Sequence, residues 1–209
     1  MYCAHKMQCR LFVQAGSQAE YGTVLTTITE KTPCQPFSEY GKAKLQTMWQ
    51  LARLSDKLGI KYLHLRIFSL FGPGDHPWTL VMSSLEKMLA AQDVPLSNCN
   101  QQWNFLSADD AARQTALLCR YALSHNDFCH DVFNLASDDT RPLRSFVEEM
   151  HRLTSSESRL IYGAVTPQHT VCLQPDVSKL RQTIGFVTSE SFGHVINSII
   201  GSLKQHDKT

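Results

Sequence analysis

The sequence predicts an α/β chain: part of a parallel, doubly wound sheet followed by a smaller, helix-rich portion. Two apolar runs and the helix between them carry this expectation. Leu11-Phe12-Val13-Gln14-Ala15 and Tyr62-Leu63-His64-Leu65-Arg66-Ile67-Phe68 are short and largely apolar, as strands buried on both faces of a parallel sheet are. Residues 40–58 between them read as one helix closed by Gly59, since glycine takes the left-handed conformation at a helix end without steric cost. Strand, helix, strand is the alternation of an α/β sheet.

The remaining elements follow in order. Met1 to His5 reads as the end of a helix before the first strand, and Gly16-Ser17 places Ser17 at that strand's C-terminal end. The second strand runs out at Phe71-Gly72-Pro73-Gly74-Asp75. Residues 78–91 carry Leu80, Val81, Leu85, Met88 and Leu89 at helical spacing, which core packing explains. A helix over 109–121 takes Asp109 or Asp110 as its N-cap, and Val132 to Leu135 is a short strand. Residues 142–153 form a helix with Thr140 as cap and Pro142 in its first turn. Asp176 opens another helix that stops before Gly185. A last amphipathic helix over 189–203 carries Phe192, Val195, Ile196, Ile199 and Ile200. The expected division is 1–75 and 76–209, with some segments of the latter packing back on the first part and no Pro/Gly/Ser linker between them, so they pack tightly.

Composition narrows the function classes. The 209 residues carry 43% hydrophobic and 19% charged residues and a net charge of +1, which is ordinary for a soluble globular chain. Lys and Arg do not cluster, so neither nucleic acid nor an acidic membrane surface is an expected partner. There is no signal-peptide pattern and no apolar run near the ~18 residues a membrane span needs. The seven cysteines are dispersed with no Cys-x-x-Cys, which suits reduced thiols in a cytoplasmic protein. Cys129-His130 with His125 matches no zinc spacing, so no metal site is expected.

The chemistry-bearing residues are Ser17, Tyr40 and Lys44. Tyr40 and Lys44 stand at i and i+4 and share one helix face. A phenol titrates near ~10, and a nearby ammonium favours the phenolate, which suits it to proton transfer at neutral pH. A serine hydroxyl at the end of a parallel strand lies where ligands bind in such sheets and can hydrogen-bond a substrate oxygen. The set suits proton exchange with a carbinol or carbonyl oxygen, coupled to hydride transfer.

Six segments in order extend the pattern. They are Gly16-Ser17-Gln18-Ala19-Glu20-Tyr21-Gly22, Tyr40-Gly41-Lys42-Ala43-Lys44, and Leu65-Arg66-Ile67-Phe68-Ser69-Leu70-Phe71-Gly72-Pro73-Gly74. Then come Trp103-Asn104-Phe105-Leu106-Ser107-Ala108-Asp109-Asp110-Ala111-Ala112, Phe133-Asn134-Leu135-Ala136, and Asp176-Val177-Ser178-Lys179-Leu180 leading to Ile184-Gly185-Phe186. In these segments the chain resembles the extended short-chain dehydrogenase/reductases, specifically the NAD-dependent epimerase/dehydratase group. The resemblance implies a Rossmann-like sheet with a smaller substrate-binding domain, NAD or NADP as cofactor, and a nucleotide-activated sugar as substrate. It admits a homodimer. It implies Ser17, Tyr40 and Lys44 as catalytic residues. Tyr40, Lys44, Phe68, Ser69 and Leu70 would face the cofactor, and Ser17, Gln18, Ser69 and Trp103 the substrate.

The departures from the family pattern are specific. No Gly-x-Gly-x-x-Gly turn is present to bring backbone N–H groups against a dinucleotide pyrophosphate; Gly72-Pro73-Gly74-Asp75-His76-Pro77 fails at the third glycine and follows the wrong strand. The chain is therefore expected to be an N-terminally truncated member, inactive by itself, whose first strand exposes an edge. Gln18 and Ala19 replace the acids of the dehydratases, which disfavours a dehydratase, and Glu20 stands one place off, as a second acid or a turn carboxylate. Trp103 occupies the place of a phosphate-gripping Arg, and Val165-Thr166-Pro167-Gln168-His169 lacks a second one, with Arg141, Arg144 and Arg159 as substitutes. Ser69 replaces an Asn common in the relatives. Two readings follow: an NAD(P)-dependent epimerase or 4-keto reductase, or a cofactor-free binding or assembly module that keeps the later half of the fold.

Overall fold

The structure is a computed structural model that describes residues 1–166 and 171–206. In chain order it contains α1 (Tyr2–Lys6), β1 (Leu11–Ser17), α2 (Glu39–Leu58), β2 (Lys61–Ile67), β3 (Ser69–Phe71), α3 (Leu80–Leu89), β4 (Val94–Pro95) and β5 (Gln102–Ser107). These are followed by α4 (Ala108–Ser124), β6 (His130–Leu135), β7 (Thr140–Pro142), α5 (Leu143–Thr154), β8 (Leu160–Ile161), α6 (Ser178–Ile184) and α7 (Phe192–His206).

A parallel sheet in the order β1-β2-β6 carries the first half, with Ser17 opposite Ile67 and Ile67 opposite Leu135. Among the described residues β1 has no neighbour on its other side. The alternation along β2 divides the two faces. Leu63 and Leu65 pack with Leu118 and Ala111 of α4 in an apolar layer. Tyr62, His64 and Arg66 point to the opposite face, where α2 covers them and Arg66 reaches Met48 of that helix. Strand β2 was read as one apolar run; its polar face is a buried hydrogen-bonded layer instead.

The second half is built on a small sheet, with β5 parallel to β3 and antiparallel to β7, and a two-stranded pair of β4 and β8. Helices α3, α5 and α7 close the largest apolar cluster around Leu85, Met88, Phe146, Met150, Ile196 and Ile199. Phe71 and Phe105 join it from β3 and β5, while the residues of the β1-β2-β6 sheet pack in a separate cluster with Leu118 and Leu180.

Local signals explain the helix boundaries, and several differ from expectation. Gly59 closes α2 with φ 62°, as its place predicts. Ser107, rather than Asp109 or Asp110, caps α4 by accepting the Asp110 N–H at 3.0 Å. Thr140 is no cap: it lies on β7 opposite Asn104, and the N-cap of α5 is Pro142 without a side-chain bond. Asp176 stands two residues before α6 and accepts the Ser178 N–H at 2.7 Å. The second half is also less purely helical than expected: β3, β4, β7 and β8, of two or three residues each, are too short for periodicity to reveal.

Candidate active site

Ser17 ends β1 and caps a single 3-10 turn over Gln18–Glu20. Its Oγ accepts the Ala19 N–H at 3.2 Å, and its own N–H donates to Glu20 Oε1 at 2.9 Å, a reciprocal capping box. A hydroxyl offers one proton and two lone pairs. With one lone pair engaged by Ala19, the Ser17 proton remains to be donated.

Helix α2 delivers the other two residues. Ser38 caps it by accepting the Gly41 N–H at 3.1 Å. Gly41, between Tyr40 and Lys44, is what lets the helix start lie against the turn. A Cβ there would fall 2.4 Å from the Ala19 carbonyl oxygen, closer than any side chain can sit. Lys44 Nζ donates to the Ala15 carbonyl oxygen at 2.8 Å and lies 5.5 Å from the centre of the Tyr40 ring. Ala15 and Ala19 flank Ser17 by two residues on either side. The helix therefore touches the chain two residues before and two residues after Ser17, through Lys44 and Gly41. Tyr40 is 57% exposed, so its ring faces solvent and an incoming ligand.

A buried polar layer lies beneath. His64 Nε2 sits 2.9 and 3.0 Å from the two Glu20 carboxylate oxygens, and Arg66 Nε donates to Glu20 Oε2 at 2.9 Å. Tyr62 donates its hydroxyl to Gln14 Oε1 and contacts His64 Nδ1 at 3.0 Å. Arg66 also stacks 4.5 Å over the Tyr21 ring, whose hydroxyl donates to Asn134 at 2.6 Å. Burial alone pushes the Glu20 carboxyl up. The hydrogen bond and charge of His64, then Arg66 and the Ser17 N–H, outweigh it and hold the group below the ordinary carboxylate range. Burial pushes the Tyr21 phenol up to about 12 and keeps it neutral. Glu20 is therefore the turn carboxylate of the two roles open to it in the sequence. It also lies in a 3-10 turn, so strand alternation does not govern where it points.

The other expected residues divide. Phe68 is buried against Tyr21, Ala136 and Leu173, so a ligand meets it only through its backbone. Ser69 is half-buried on β3, and Leu70 is 43% exposed beside it. Gln18 is half-buried in the turn after Ser17. Trp103 is on β5, packed 6.2 Å from Phe105 and opposite Arg141, with no indole partner among the described residues. Of the substitute arginines, Arg141 is committed to Asp139 and Glu149, and Arg159 to Asp93. Arg144 stacks 3.8 Å from the Tyr162 ring and reaches the Asn98 carbonyl at 3.4 Å. Asn98 lines a cleft of about 560 Å³ with Ser97, Asn100, Gln101, Gln102 and Thr166, so Arg144 is the arginine at its border. Of the loop expected to lack a second arginine, residues 167–169 lie outside the described residues.

Sequence reasoning missed Gly41 as a spacer and the Glu20–His64–Arg66 cluster. The available signal was two polar residues at alternate places in an otherwise apolar strand, opposite an acid just past Ser17.

Residues 1–136 match the NAD dependent epimerase/dehydratase family. The chain belongs to that family. Solved structures agree on the fold. A UDP-glucuronic acid 4-epimerase from Bacillus cereus, in complex with NAD, superposes with a TM-score of 0.85 at 16% identity, covering 98% of this chain and 64% of that one. A UDP-N-acetylglucosamine 4-epimerase from Methanobrevibacter ruminantium M1, in complex with UDP-N-acetylmuramic acid, gives 0.87 at 18%, covering 98% and 66%. RMD from Pseudomonas aeruginosa, complexed with NADPH, gives 0.81 at 17%, covering 94% and 67%. The chain thus spans about two thirds of the length of these members. No curated protein is matched by its sequence. No described helix is long and apolar enough to cross a membrane.

Proposed function

We propose that this chain carries the proton-transfer site of an NAD(P)-dependent epimerase or 4-keto reductase acting on a nucleotide-activated sugar. The observation that supports the reading is the contact of α2 with the chain on both sides of Ser17: Lys44 bonds the Ala15 carbonyl and Gly41, beside Tyr40, is seated on Ala19. NAD or NADP, when bound, supplies or accepts the hydride. Tyr40 exchanges the proton with the sugar hydroxyl or ketone oxygen, Ser17 donates a hydrogen bond to that oxygen, and Lys44 supports the phenolate and holds the nicotinamide ribose. Ser69, Leu70 and the Phe68 backbone border the nicotinamide side, and Gln18 and Trp103 the sugar side. Gln18 and Ala19 offer no acid for removing water, so the dehydratase branch is disfavoured.

The 209 residues contain no Gly-rich pyrophosphate turn, so we infer that tight cofactor binding needs a dinucleotide-binding segment in addition to them. The same absence, with the open edge of β1, favours a second reading: a cofactor-free module that pairs with another chain. The test is conversion of a UDP-linked 4-keto sugar with NADH or NADPH by the chain supplied with a dinucleotide-binding segment, followed by product analysis, alongside calorimetric titration with each dinucleotide. Turnover supports the enzyme. No turnover once that segment is supplied, with association of the chain through β1, supports the module.

A further inference from the structure

Glu20 has no part in the proton transfer just described, yet it is the most heavily engaged side chain beside it. Its carboxylate is wholly buried and receives the Ser17 N–H, the Arg66 Nε–H and close contact from His64 Nε2. A buried carboxylate persists only when it is paired and hydrogen-bonded, and His64 and Arg66 supply that pairing. The strand backbone runs directly over the pair: a Cβ on Gly16 would fall 2.4 Å from His64 Nε2 and 2.7 Å from Glu20 Oε1. His64 continues through Tyr62 to Gln14 on β1, so the cluster grips the strand as well as the turn.

We propose that Glu20, held by His64 and Arg66, is a positioning residue for Ser17. It commits the Ser17 N–H and, through the capping box, sets the hydroxyl so that its lone pair faces Ala19 and its proton faces the substrate oxygen. This rests on the reading of Ser17 as a donor to substrate. It adds residues for which that reading has no role.

Two measurements test it. The first needs no activity. In the purified chain, Ser17 is expected to show one χ1 rotamer by Hα–Hβ coupling and a downfield amide proton. Glu20→Gln keeps an acceptor for that N–H but removes its charge, so the rotamer is retained and the amide moves upfield. Glu20→Val removes the acceptor, so the rotamer averages in whatever fraction remains folded. An unmoved Ser17 amide in folded Glu20→Gln overturns the proposal. The second measurement is a double-mutant cycle on turnover. Glu20→Val, which frees the rotamer, is expected to lower kcat about tenfold when Ser17 is present and less than about twofold in the Ser17→Ala background, with KM little changed, whereas Glu20→Gln, which keeps the rotamer, lowers it less than about twofold in either. Equal losses in both backgrounds overturn it, because a merely structural defect does not depend on Ser17. Turnover is read in the chain supplied with a dinucleotide-binding segment; if that protein shows none, the functional reading fails, and the amide and rotamer data alone decide the positioning.

Discussion

Lys44 and Ser17 make different contributions, and their substitutions separate them. Lys44→Met keeps the length and the apolar stem but deletes the ammonium that bonds the Ala15 carbonyl. It also removes the cation proposed to support the Tyr40 phenolate, so turnover is expected to fall by about 10–100-fold. Ser17→Ala removes one hydroxyl and is expected to cost about tenfold, with the Glu20 interaction intact because it uses the Ser17 backbone. Steady-state kinetics on both variants checks the order. At this scale the sequence was informative wherever residue type and spacing alone define the chemistry, as with Tyr40 and Lys44 one turn apart. It left Glu20 open between a second acid and a turn carboxylate, because its partners His64 and Arg66 lie more than forty residues away.

Among the elements, the contact between the start of α2 and the end of β1 decides whether the site exists. Gly41→Ala would place a methyl 2.4 Å from the Ala19 carbonyl oxygen, and backbone cannot move aside as a flexible side chain can. Overpacking of this kind costs about 1–3 kcal/mol. The expected outcome is a lower Tm together with a loss of turnover larger than stability explains, because Tyr40 and Lys44 move away from Ser17. Thermal unfolding and kinetics on the same preparation measure both. The long helices were legible because their apolar spacing and end residues are local, as Gly59 shows. The short strands were not: β3 and β7 have three residues each, and tertiary pairing alone defines them. The helix caps failed for a related reason, since Ser107 and the acids after it all suit an N-cap by type.

For the whole molecule, the buried polar layer predicts an acid-labile fold. Glu20 titrates lower in the folded chain than the ordinary 4.5 because His64, Arg66 and the Ser17 N–H favour its charged form over the cost of burial. A carboxyl with a depressed folded value adds stability that is fully present above its unfolded value and is lost as pH falls through the folded one. Urea midpoints are therefore expected to fall below about pH 4.5 in the unsubstituted chain, and less steeply in Glu20→Gln; equal pH dependence in the two would remove Glu20 as the cause. The α/β architecture was legible from the strand–helix–strand alternation. The two unequal faces of the sheet were not, because a strand buried on both sides reads as one apolar run until its neighbours show which side chains find polar partners.

The central claim is that Tyr40 exchanges a proton with the substrate oxygen. Tyr40→Phe removes one oxygen from a ring that is 57% exposed, so the fold and Tm should be unchanged. Proton transfer by a positioned side chain is worth roughly 10²–10⁴-fold, and turnover of a UDP-linked 4-keto sugar should fall by about that factor. Near-full turnover in Tyr40→Phe would contradict the account and reduce Tyr40 and Lys44 to two residues on one helix face.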